Sequence, residues 1–166
     1  MNLLRIFKHI FTTGSQLRRN FSPATMERIR AAIAAAELRH TGELRFAVEA
    51  DLPISALLAG QTSRARAVEV FSRLNVWDTE KNNGVLIYLM LADRGIEIIS
   101  DRGIHARVGA QVWESICGEM ERSFAAGRFE QGVILAINAV SDLLVTHFPA
   151  DGELNPNELP DEPVIL

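Results

Sequence analysis

Val76 to Gly103 reads VWDTEKNNGVLIYLMLADRGIEIISDRG, and the way its two apolar runs are taken decides the fold. Val85 to Leu91 and Ile96 to Ile99 are short, continuous, and flanked by acids, amides and glycines. Val/Ile/Leu/Tyr runs of this length suit strands covered on both faces better than helices. Between them Ala92-Asp93-Arg94-Gly95 supplies a tight turn, so the pair is expected to close as an antiparallel hairpin. Asp78, Asn82 and Asn83 precede the first run and Asp101 follows the second. Closing the hairpin brings these polar flanks to one end of the sheet.

Upstream, Leu44 to Ala50 alternates apolar and polar residues and reads as a half-buried strand. A helix capped by Thr62 or Ser63 separates it from the hairpin, with Ala65, Val68, Phe71 and Leu74 as the expected inner stripe and Arg64, Arg66, Glu69 and Arg73 outside. Strand, helix, strand at this spacing is a right-handed crossover, which makes the two strands parallel. Before it, Ser22-Pro23 has the cap and first-turn proline of a helix whose inner face is Ile29, Ala32, Ile33 and Ala36, with His40-Thr41-Gly42 as its stop. After the hairpin come two long helical stripes, Val108 to Phe124 and Phe129 to Phe148, the second stopped by Pro149. The expected architecture is α/β: a three-layer α/β/α sandwich with a small mixed sheet and long C-terminal helices.

The 166 residues are 48% hydrophobic with a net charge of −4, which fits one folded domain and gives no electrostatic case for a nucleic-acid partner. The single Cys117 excludes an internal disulfide, and no Cys/His spacing suits zinc. Three segments are read: a basic amphipathic arm at 1–21, the α/β domain at 22–149, and a mobile acidic, proline-containing tail at 150–166. In the arm, Leu3, Leu4, Ile6, Phe7, Ile10 and Phe11 recur at helical spacing around Arg5, Lys8 and His9. Residues 1–13 are therefore open to two readings, a contact with an anionic membrane surface or partner protein, and a terminal helix packed on the body. With no secretory signal read, the expected place is cytoplasmic, or peripheral on the inner face of a membrane.

Several motifs occur in order: VFSRLNVWDTEKNNGVLIYLMLADRGIEIISDRGI from Val70, VWESIC from Val112, F-x-x-G-R-F-x-x-G from Phe124 to Gly132, and HFP at His147 to Pro149. Over about Ser22 to Pro149 the chain resembles the TPM domain, named for a thylakoid lumen protein, a photosystem II repair protein and a nematode modulator of acetylcholine receptors. His40 to Phe46, H-x-G-E-L-R-F, is similar to the shorter subgroup without a signal peptide that begins with a basic arm. The resemblance implies an α/β/α sandwich. For function it implies either phosphatase activity or divalent-cation binding, calcium in particular, with a role in maintaining membrane protein complexes.

Sheet geometry gives the candidate site. Glu43, Asp78, Asn83 and Asp101 are expected near one end of the sheet, with Glu37 or Glu80 as a fifth, and their oxygens are the ligands that Ca²⁺ or Mg²⁺ prefers. Such a cation can hold a phosphate or activate water. Asp101 and His105 are the catalytic candidates on that reading; on the other, Asp78 forms a turn and Asp101 caps a helix. No G-x-S-x-G elbow, phosphate-cradling glycine loop or organic cofactor motif is present. Trp77 and Trp113 are expected to pack. Two functions stand: a non-enzymatic module of a membrane-associated complex, and a metal-dependent phosphoester hydrolase.

Overall fold

The computed structural model describes residues 3–150, 152 and 157–166. In chain order the elements are α1 (Leu3–Phe11), α2 (Gly14–Asn20), α3 (Pro23–Glu37), β1 (Leu44–Glu49), α4 (Ile54–Leu58), α5 (Ser63–Arg73), β2 (Val85–Met90), β3 (Gly95–Ser100), α6 (Arg102–Val108), α7 (Ala110–Ala125), α8 (Phe129–His147) and β4 (Val164–Ile165). The sheet order is β3-β2-β1-β4. β2 and β3 pair antiparallel, with Val85 opposite Ser100 and Met90 opposite Gly95, while β1 runs parallel to β2 in the register Leu44 to Val85. Hairpin and crossover thus form as the apolar runs require.

Each face of the sheet has its own core. Leu44, Phe46, Val48, Val85, Ile87, Leu89, Ile96 and Ile98 pack with the inner faces of α3, α7 and α8. Ala47, Leu86, Tyr88, Met90 and Ile99 pack on the other face with Ala67 and Val70 of α5 and Leu57 of α4. Both faces being covered explains why β2 reads as an unbroken apolar run. It also buries all six residues of β1, Arg45 and Glu49 included, where the alternation had indicated a strand with one wet face.

Ser22 Oγ accepts the Thr25 N–H at 3.2 Å and Thr62 Oγ1 accepts the Ala65 N–H at 3.1 Å, so both expected caps form. The inner stripe of α5 is shifted, because Ala67 and Val70 are buried while Val68 is exposed. Arg66 turns inward to chelate Glu49, with Nε to Oε2 at 2.9 Å and Nη2 to Oε1 at 2.8 Å, and Tyr88 donates to the same carboxylate at 2.8 Å. Satisfying a buried carboxylate outweighs the hydrophobic pattern here.

The helical stripe after the hairpin is two helices, α6 and α7, broken at Gly109 by a φ of 81°. Gly42 is not a helix stop: α3 ends at Glu37 with Leu38 as its C-cap, and Gly42 is needed for space, since a Cβ there would lie 2.5 Å from Leu144 Cδ2. Trp113 is buried as expected, whereas Trp77 is 51% exposed. α8 is long and apolar enough to cross a membrane, but Val133, Ala136, Ile137, Val140 and Leu144 fill the core between it and the sheet.

The expectation of a mobile tail at 150–166 is corrected for residues 157–166; residues 151 and 153–156 lie outside the described ones. Val164 and Ile165 pair parallel with Ala47 and Val48, Leu166 donates to Val48 O at 3.0 Å, and Leu159 is buried. Acids and prolines hid the three residues that anchor the segment on the core, Leu159, Val164 and Leu166.

Candidate functional site

At the end of the sheet where β1 and β2 begin, Val85 N donates to Glu43 O at 2.8 Å and Asp101 N donates to Gly84 O at 2.9 Å. Glu43, Asn83 and Asp101 therefore lie on neighbouring segments at the strand ends, and all three are buried. Their side chains take separate tasks. Glu43 accepts the N–H groups of Glu158 at 3.3 Å and Leu159 at 3.1 Å. Asn83 Nδ2 donates to Thr41 O at 2.9 Å. Asp101 caps α6 by accepting the Arg102 N–H at 2.6 Å. Asp78 and the Glu80 side chain are exposed, and Glu37 Oε1 accepts the Leu44 N–H at 2.8 Å.

Two oxygens of this set are buried without a partner, Asn83 Oδ1 and Asp101 Oδ2. Ca²⁺ takes six to eight oxygen ligands, so two fall short of a protein cage and suit only an ion that keeps much of its water. Among the described residues no three His, Cys, Asp or Glu side chains come together as a metal group. His105 is exposed on α6, with Nδ1 3.3 Å from Ser100 Oγ. It lines a groove of about 580 Å³ between β3 and α7 that also holds Trp113 and Cys117. Burial pushes the Cys117 thiol up to about 11, which leaves it protonated and unreactive at neutral pH.

Sequence reasoning missed a buried charged slot beside β4. Arg45 is 6% exposed, yet its Nε and Nη1 have no hydrogen-bond partner. Burial pulls the guanidinium below its ordinary value, opposed by the surrounding carboxylates of Glu162, Glu37, Asp161 and Glu43. Burial, against the Leu44 N–H and with the nearby Glu43 and Asp161, pushes the Glu37 carboxyl up to about 9, so Glu37 is protonated at neutral pH. The available signal was positional: a charged residue inside a strand covered on both faces must be buried.

At the opposite end of the sheet the hairpin turn holds α1. Asp93 accepts from Arg5 Nε at 3.0 Å and Nη2 at 2.7 Å, and lies 3.0 Å from His9 Nε2. His9 Nδ1 accepts the Leu52 N–H at 2.9 Å, so the ring carries its proton on Nε2 and donates it to Asp93. Against the cost of burial, the Arg5 and His9 hydrogen bonds hold the Asp93 carboxyl below the usual carboxylate range. Arg5 and His9 of α1 thus face the body, with Ile6 packed beside them, while Lys8 is exposed. Leu3, Leu4, Phe7, Ile10 and Phe11 are 54 to 75% exposed, with the Phe7 and Phe11 rings stacked at 6.5 Å. Ile54 and Leu58 of α4, just beyond Leu52, are exposed as well. No sequence signal pointed to Asp93, which had read only as a turn residue.

Helices on both faces of a four-stranded mixed sheet place the molecule among the α/β/α sandwich proteins. The TPM domain model matches residues 17–143, and the chain belongs to that family, as its motifs had indicated. Solved structures match as well. One is the NMR structure of the BA42 protein from the psychrophilic bacterium Bizionia argentinensis, at 28% identity and a TM-score of 0.74, covering 87% of this chain and 94% of that one. No curated protein matches the chain.

Proposed function

We propose that this protein is a non-enzymatic module that rests on an anionic membrane surface through α1 and supports a membrane-associated protein complex. The observation that carries this reading is the setting of α1, in which Arg5 and His9 are spent on Asp93 while five of its six apolar side chains face solvent and Ile6 packs on the body. A helix packed only for stability buries its apolar face; one that lies in a lipid interface presents it. Lys8, Arg18 and Arg19 are exposed on α1 and α2 and suit the negative inner leaflet. Five half-exposed side chains at about 1 kcal/mol each give ~5 kcal/mol, the order of a single acyl chain, so attachment is reversible. Flotation with vesicles of phosphatidylcholine and phosphatidylserine tests it: the wild type should float and Phe7→Glu should stay with the soluble fraction. Equal behaviour of the two sinks the reading.

A second reading, a cation-dependent phosphoester hydrolase, is favoured by the free oxygens of Asp101 and Asn83. Those two residues would hold Ca²⁺ or Mg²⁺, which when bound draws charge from a phosphoryl oxygen. His105 would exchange the proton. Turnover of p-nitrophenyl phosphate that needs the metal and is lost in folded Asp101→Asn would displace the first reading.

A further inference from the structure

Segment 157–166 fills the outer edge of β1 incompletely. Its ladder covers only Ala47 and Val48 of the strand, and Pro160 and Pro163 bring no N–H. Arg45, the second residue of β1, keeps its Nε and Nη1 unpartnered although Asp161 and Glu162 are close enough to act on its charge. A buried guanidinium with two unpartnered nitrogens is an unfavourable arrangement that a better-fitting strand would relieve. Glu43 meanwhile takes two successive backbone N–H groups, those of Glu158 and Leu159, where the main chain bends ahead of the strand, a way of binding that depends on no particular side chain.

We propose that the β1 edge around Arg45 is a docking site for an extended acidic peptide of a partner protein, and that segment 157–166 occupies it in the free protein as a displaceable internal ligand. The mode is strand addition, in which main-chain hydrogen bonds supply affinity and pockets supply specificity. The ligand class follows from the slot. Two adjacent N–H groups meet Glu43, a carboxylate two or three residues later meets Arg45, and aliphatic residues then take the places of Val164 and Leu166, which pack on the core beside Leu86 and Tyr88. A ligand without the prolines can pair along β1 upstream of Ala47, which the internal segment does not.

The test uses the full chain and a fluorescein-labelled peptide of residues 157–166 carrying Pro160→Ala and Pro163→Ala, followed by anisotropy. Binding should be saturable. Leu159→Asp in the full chain, which loosens the internal segment by charging its buried anchor, should tighten peptide binding by about tenfold or more, and Arg45→Gln should weaken it by a similar factor. A peptide with Lys at the three acidic positions should not bind. Equal affinity of wild type and Leu159→Asp overturns the proposal, even if Arg45→Gln fails to fold. So does a concentration-dependent dimer that the peptide dissolves, since the occupant would then be a second copy of the chain.

Discussion

Raising the pH from 6.5 to 9 should weaken the fold, and the size of the effect follows from two buried groups. Glu37 loses its proton near 4.5 in the unfolded chain but only at about 9 in the native one. The unfolded state therefore binds fewer protons between those values, and stability falls as pH rises through them. His40 acts at the other end. Burial, only partly offset by its contact with Gly42 O, pulls the imidazole from 6.5 down to about 4, so its contribution is lost as pH falls through that window. Between 4.5 and 6.5 the two slopes oppose and stability should be nearly level. Above 6.5 Glu37 acts unopposed. A full proton is worth about 1.4 kcal/mol per pH unit, giving ~3 kcal/mol by pH 9. Glu37 keeps some contact with solvent, and we halve this to ~1.5 kcal/mol, a fall in Tm of about 3–6 °C for a chain of this size. Burial raises Cys117 from about 9 to about 11 and pushes Tyr88 up as well, so both act in the same direction as Glu37 but only from the upper edge of the window. Thermal melts followed by circular dichroism at half-unit steps, on wild type and Glu37→Gln, read the effect. Glutamine keeps an oxygen for the Leu44 N–H and should flatten the curve above pH 6.5. A flat wild-type curve, or an unchanged slope in Glu37→Gln, would refute the assignment.

Other consequences are open to direct measurement. Gly84→Ala places a Cβ 1.9 Å from Val76 O, a backbone atom that cannot step aside, and should lower stability by about 2 kcal/mol or more in urea titrations; a loss below ~0.5 kcal/mol would mean the Val76–Gly84 loop is looser than described. Asp93→Asn removes the charge that Arg5 and His9 share, and should raise amide exchange across Leu3–Phe11 at least about tenfold while leaving β2 and β3 protected. Unchanged exchange in α1 would show that its apolar contacts suffice. Calorimetric titration with Ca²⁺ and Mg²⁺ should give no saturable heat below roughly millimolar metal, because among the described residues the sheet end offers two buried oxygens without a partner, Asn83 Oδ1 and Asp101 Oδ2. Micromolar binding abolished by Asp101→Asn would contradict this.

The hairpin and the β1-α5-β2 crossover were legible because a strand covered on both faces writes an unbroken apolar run, and because glycines and caps mark its borders. Ser22 and Thr62 were legible for the same local reason: their hydroxyls act three residues away. What escaped was long-range. Helical spacing in α1 tells which residues share a face, but which face docks depends on Asp93, more than 80 residues on. Val68 was assigned to the core and Arg66 to solvent because nothing in α5 announces Glu49. The segment after residue 156 looked mobile since its acids and prolines outnumber its anchors, and only a strand edge elsewhere gives Val164 and Ile165 a partner. Of the candidate site, the placement of Glu43, Asn83 and Asp101 at one sheet end was readable from strand directions. Their separate hydrogen bonds were not, because each depends on a turn or tail partner: Thr41, Arg102 and Glu158–Leu159.

The most direct test of the membrane reading is the depth of a nitroxide on the outer face of α1. Ile10→Cys, labelled in a Cys117→Ala background and bound to phosphatidylserine-containing vesicles, should show oxygen accessibility typical of a position about 5–10 Å below the headgroup boundary. The same label at Arg39→Cys, exposed on the far side of the domain near Asp142, should remain as accessible to a water-soluble nickel complex as it is without vesicles. Water-like accessibility at both positions in the presence of vesicles would contradict the reading and leave the apolar face of α1 without a lipid partner.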